Sequence, residues 1–102
     1  MQPIITENRD KIIELCRQHH VRRLSVFGSA ARDDFDPERS DVDLLVDFEP
    51  LDEMAYAPNY FGLLRSFDSL FGRKVDLLTE TSIKNPYLRR AIEGDKVALY
   101  AA

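Results

Sequence analysis

Gly28-Ser29, followed after eleven intervening residues by Asp41-Val42-Asp43, is the stretch of this chain whose residue types and spacing could do chemistry. Successive residues of an extended strand point to opposite faces, so Asp41 and Asp43 project the same way with Cα atoms roughly 7 Å apart. Two unpaired carboxylates held that close repel each other, and the arrangement makes best chemical sense with a divalent cation between them. Only oxygen donors are on offer, which favours magnesium, an ion commonly held by one or two carboxylates together with substrate phosphates. Gly28 allows a backbone approach that a side chain would block. Ser29 supplies a hydroxyl and a backbone N–H where a short helix through Ala30-Ala31-Arg32 would begin, and both favour a bound triphosphate. Arg32 is a charge-assisted phosphate donor in this reading, or else a surface arginine paired with Asp33 or Asp34.

A third acid, Asp76, stands inside the apolar run Val75-Asp76-Leu77-Leu78 and needs an explanation there. On a strand neighbouring Asp41 and Asp43 it would complete a triad. In a two-metal displacement one ion lowers the pKa of an attacking hydroxyl and the other steadies a leaving pyrophosphate, and Asp76 would be a metal ligand and candidate general base. Its alternative is an acid at a strand end, solvated or paired with Arg73 or Lys74.

The elements that must position these groups follow from hydrophobic period. Residues 5–20 read as a helix with Thr6 as N-cap and Ile12, Leu15, Cys16 and His19 on one face. Leu24-Ser25-Val26-Phe27 reads as a short strand stopping at Gly28, and residues 41–48 as a central strand buried on both faces. The acidic connection from Glu49 to Asn59, broken by Pro50 and Pro58, reads as a loop at the mouth of a site. Tyr60, Leu63, Leu64, Phe67 and Phe71 mark an amphipathic helix ended by Gly72. A third strand follows over residues 74–78. Asn85 and Pro86 then start a short helix closed by Gly94, and residues 96–100 make a last strand. The expected fold is α/β (α+β): one domain over residues 1–102, a mixed sheet of about four strands flanked by helices in the order α-β-β-α-β-α-β.

At 102 residues the chain builds a single core, with little room for a second module to bind an acceptor. The net charge of −4 argues against broad binding to nucleic acid, which draws on clustered Lys and Arg. A single cysteine, Cys16, cannot form an internal disulfide and falls among apolar helix positions, so it reads as a buried thiol in a reducing compartment. No apolar run approaches the roughly 20 residues of a membrane span, and the expected location is the cytoplasm. His19 and His20 sit at a helix end favoured by its dipole and are read as solvated, without a catalytic role.

With these residues in view, Gly28-Ser29, the eleven-residue spacer, Ser40-Asp41-Val42-Asp43-Leu44-Leu45-Val46 and Val75-Asp76-Leu77-Leu78-Thr79 resemble the minimal nucleotidyltransferases (MNT) of the DNA polymerase beta superfamily. The resemblance covers nearly the whole chain, and within that group it is similar to the MNT antitoxins encoded beside a HEPN-domain ribonuclease toxin. It implies ATP as co-substrate, Mg2+ (two ions) on Asp41, Asp43 and Asp76, and Gly28, Ser29, Arg32 and Ser40 around the nucleotide. It also implies transfer of AMP to a tyrosine of the toxin within a complex that is itself a possible oligomer. The chain departs from the family pattern Gly-Ser-x-Ala-Arg-Gly by carrying Asp33 after Arg32, an extra acid beside the phosphates. Two other readings stay open: an antitoxin that acts by binding alone with a vestigial nucleotide site, and a transferase acting on a small-molecule or RNA hydroxyl.

Overall fold

A computed structural model describes all 102 residues. The chain folds as α1 (Pro3–Thr6), α2 (Arg9–Gln18), β1 (Val21–Phe27), β2 (Val42–Phe48), α3 (Glu53–Phe71), β3 (Val75–Thr79), α4 (Pro86–Asp95) and β4 (Val97–Ala101). The four strands form one mixed sheet in the order β3-β2-β1-β4, with β1 antiparallel to β2 and β4, and β2 parallel to β3. The parallel pair follows from its connection, since α3 carries the chain back across one face before β3 begins.

Side-chain alternation sorts β2 between two layers. Val42, Leu44, Val46 and Phe48 join the larger core with Ile12 and Cys16 of α2 and Leu63, Phe67 and Phe71 of α3. The intervening residues point to the opposite face, where Leu45 packs with Phe27, Ile83 and Ile92 of α4. Cys16 lies in the larger core as a free thiol, and burial pushes it up to about 12, which keeps it protonated and unreactive. No helix is long and apolar enough to cross a membrane.

Several boundaries differ from the sequence expectation. The first helix is broken: Thr6 lies inside α1, and Asn8 occupies the cap position of α2 while its side-chain amide donates to the Ile4 carbonyl at 2.8 Å. An asparagine that bonds its own backbone competes with helix continuation. His20 follows α2 in the left-handed region at φ 57°, and His19 is half-buried, its Nδ1 2.8 Å from the Leu15 carbonyl oxygen. Only His20 is therefore the exposed histidine expected.

The Glu49–Asn59 segment is mostly helix, since α3 starts at Glu53 and contains Pro58. Proline removes one N–H and crowds the carbonyl four residues back, here that of Met54 in the first turn, where water can take over. Gly72 ends α3 as expected, at φ 64° with its N–H donating to the Asp68 carbonyl. Gly94 does not end α4, which runs one residue further to Asp95.

The start of α4 follows expectation. Pro86 takes the first turn, and the Asn85 side chain accepts the Tyr87 and Leu88 amides at 2.8 and 3.4 Å. Asn85→Ala is expected to cost about 1 kcal/mol in urea unfolding, the usual value of such a cap.

Candidate active site

The acids gather at one edge of the sheet because of strand register. In the parallel ladder Val42 pairs with Val75 and Asp43 with Asp76, which sets the two carboxyl-bearing residues side by side on the face opposite α2 and α3. In the antiparallel ladder Phe27 pairs with Asp43, so the turn that follows Phe27 arises beside the same acid. Asp41 immediately precedes β2 with its side chain 41% exposed, compared with 43% for Asp76.

The glycine-serine turn makes closer contact with the acids than spacing alone could show. Gly28 has φ 68°, a left-handed conformation that side chains disfavour. A Cβ on Gly28 would lie 2.4 Å from Asp43 Oδ2 and 3.3 Å from its Cγ, so the Asp43 carboxylate rests directly on the turn backbone. The turn is a single 3-10 turn over Gly28–Ala30, shorter than the helix expected through Arg32. It is latched to the N-terminal segment, where the Gln2 amide donates to the Ala30 carbonyl at 3.0 Å and the Gln2 side chain donates to the Arg32 carbonyl.

Asp43 carries the electrostatic signature of the site. Burial, then the neighbouring Asp76 and Asp41 carboxylates, raise it from its ordinary 3.8 to about 6, against a smaller opposing pull from Arg32. A carboxylate disfavoured in this way is stabilised by any cation that arrives between it and Asp76. One cation of the chain itself is already near: Lys74 Nζ lies 3.9 Å from Asp41 Oδ2 and 3.7 Å from Asp76 Oδ1.

The all-oxygen donor set and the raised Asp43 suit a magnesium ion, which Asp43 and Asp76 would hold with Asp41 beside them. In the protein alone the three carboxylates flank one another without closing on one point as a three-acid cluster.

The remaining predicted residues are distributed around this edge. Ser29 sits in the turn, half-exposed. Arg32 donates to Asp34 at 3.0 and 3.1 Å and to Asp95 at the end of α4, so its partner across the fold is an acid that spacing did not suggest. These bonds hold the Asp34 carboxyl below its ordinary range. Ser40 is tied into the loop before β2, where its Oγ accepts the Asp36 amide at 2.9 Å. Its carbonyl accepts from Arg73 Nη1 at 3.2 Å, and the Arg73 guanidinium lies 4.9 Å from the centre of the Phe35 ring. The loop carrying Asp33 is thereby fastened to the start of β3. Sequence reasoning missed this anchor because Phe35 and Arg73 are remote in the chain and neither belongs to a periodic pattern.

A fourth acid shares the face. Asp47 follows Asp43 and Leu45 along β2, but a bulge between Val21 and Arg23 brings two consecutive arginines onto it. Arg22 and Arg23 donate to Asp47 at 3.0 and 3.1 Å and keep it well below the usual carboxylate range. Asp47 is thus neutralised, whereas Asp43 is not.

Tyr56 packs edge-to-face with Phe48 and, with Tyr60, Phe61 and Leu78, lines a hollow of about 380 Å3 beside β3. Tyr60 is more than core: its hydroxyl donates to the Leu77 carbonyl on this outer strand.

Comparison with known proteins gives the family and the fold. The family profile described as nucleotidyltransferase domain matches residues 9–99. The protein adenylyltransferase MntA of Thermococcus cleftensis is 38% identical over 72 residues, covering 71% of this chain and 69% of that protein. A solved candidate minimal nucleotidyltransferase superposes with a TM-score of 0.74 at 31% identity, covering 91% of this chain and 90% of the other. A Shewanella oneidensis complex of a tri-AMPylated HEPN toxin with its MNT antitoxin shares the fold at a TM-score of 0.63 and 23% identity, over 95% of this chain and 72% of that one.

Proposed function

This chain belongs to the nucleotidyltransferase domain family and is a nucleotidyltransferase, and from that premise we propose that it transfers AMP from ATP to a tyrosine of a HEPN-domain toxin, acting as the antitoxin of the pair in the cytoplasm. The observation that carries this reading is the Asp43 carboxylate, seated on the Gly28 backbone and in register with Asp76. A triphosphate with its cation calls for a side-chain-free backbone and carboxylates together, and this edge has Gly28 beside Asp43 and Asp76, which would hold the cation. The likeness to an adenylyltransferase and to a toxin-bound MNT fold supports the choice of AMP as the group transferred and of a HEPN toxin as partner.

In the transfer, the acceptor oxygen bonds to the α-phosphorus, the bond from that phosphorus to the bridging oxygen breaks, and pyrophosphate leaves. Magnesium, when bound, would screen the triphosphate charge and lower the pKa of the acceptor hydroxyl. Asp43 and Asp76 would hold it, with Asp41 as third ligand, and Asp76 would receive the hydroxyl proton. Gly28 and Ser29 would line the phosphate side of the site, and Arg32 would exchange Asp34 or Asp95 for a phosphate oxygen.

That exchange is also the observation favouring the second reading, in which the antitoxin acts by binding alone: Arg32 is already engaged by two carboxylates, and Asp33 adds a negative charge nearby.

One experiment separates the two. The full chain is incubated with α-labelled ATP, Mg2+ and a HEPN-domain protein of the same genome, beside the Asp41→Ala/Asp43→Ala variant. Label on the partner with the wild type only is the expected result. Intact neutralisation of the partner without label from either form would overturn the catalytic reading.

A further inference from the structure

The register that sets Asp43 beside Asp76 has a second consequence. Extended by one residue, it sets Lys74 beside Asp41, and the Val42 amide donates to the Lys74 carbonyl at 3.1 Å to fix that pairing. Lys74 and Asp76 are two residues apart, so they share a face. Backbone geometry therefore builds a square of Asp41, Asp43, Lys74 and Asp76 in which one corner is a cation. The ammonium reaches both Asp41 and Asp76, yet its side chain is 70% exposed and free to swing into water.

We propose that Lys74 is a tethered counter-cation of the acid site: it balances the carboxylates when no divalent ion is bound and competes with that ion for Asp41 and Asp76. The inference rests on the carboxylate metal site of the proposed function and adds a residue that sets its affinity. A lysine is suited to this exchange because its ammonium is a flexible point charge, easily hydrated on release. The energetic scale is modest, since partly exposed pairs are individually weak, so Lys74 tunes the site without blocking it.

The test is Mn2+ binding to the full chain, followed by calorimetry without nucleotide. Lys74→Met is expected to bind Mn2+ about twofold to fivefold more tightly than the wild type, and Lys74→Arg to stay close to the wild type. The gap should shrink in high salt, where the ammonium is screened. Without metal, Lys74→Met should melt at a lower temperature than the wild type, because its acids lose their counter-charge. Equal or weaker Mn2+ binding by Lys74→Met would overturn this inference while leaving the metal site standing. Absence of binding by every folded form would overturn the metal site itself.

Discussion

Asp43→Asn is expected to lower AMP transfer at least about a thousandfold while making the metal-free protein more stable. Transfer falls because the carboxylate that lies against both the Gly28 turn and Asp76 is lost as a ligand. The gain in stability has a definite pH dependence. The folded-state value of about 6 lies above the ordinary 3.8, so between these values the native protein holds more protons than the unfolded chain. Stability of the wild type then falls as pH rises through that window and levels off above it. The asparagine variant lacks this loss. Two pKa units correspond to about 3 kcal/mol at most, and solvent screening of a half-buried group reduces that to about 1–2 kcal/mol. Urea unfolding of the two proteins should therefore coincide near pH 4 and separate by that amount at pH 7. Magnesium should reverse the order by binding the ionised wild type alone. A constant gap across pH would refute burial and carboxylate repulsion as the cause.

The second large effect belongs to Gly28. Alanine there would place Cβ 2.4 Å from Asp43 Oδ2 while the backbone stays at φ 68°. Left-handed backbone costs an alanine about 1 kcal/mol, and displacing the carboxylate adds to it, so Gly28→Ala is expected to destabilise by about 2–3 kcal/mol. Transfer should fall about a hundredfold, because a displacement near 1 Å at a reacting site has that scale. Gly72 provides the internal control: its φ is 64°, with nothing within 4 Å of a built Cβ. Gly72→Ala should show the backbone cost of about 1 kcal/mol and unchanged transfer. Equal losses in the two variants would mean that the contact with Asp43 does not matter.

The reach of the sequence can be judged residue by residue. Val75-Asp76-Leu77-Leu78 announced a strand with one acid that its apolar neighbours could not account for, and that acid stands in register with Asp43. The stripe from Tyr60 to Phe71 announced a buried helix face, and Leu63, Phe67 and Phe71 are core. Glu49–Asn59, with Pro50 and Pro58, suggested a loop, whereas a helix tolerates a proline near its start and α3 begins at Glu53. Asn8 misled in the opposite sense, since apolar periodicity says nothing of a side chain that bonds its own backbone and splits the helix.

The sequence by itself determined the composition of the acid site and the period of each element, because alternation along a strand is fixed by backbone geometry and needs no partner. It placed Asp41 and Asp43 on one face and Gly28 at the end of a strand. What charge each group carries and what it touches were decided by the tertiary structure. Pairing of β2 with β3 is what puts Asp43 against Asp76 and Lys74 against Asp41, and pairing of β1 with β2 is what lays Gly28 under the Asp43 carboxylate. The same is true of Asp47, a strand acid like Asp43 in sequence, which a bulge surrounds with two arginines. Electrostatic energies depend on distance and burial between residues far apart in the chain, and those distances exist only once the sheet has formed.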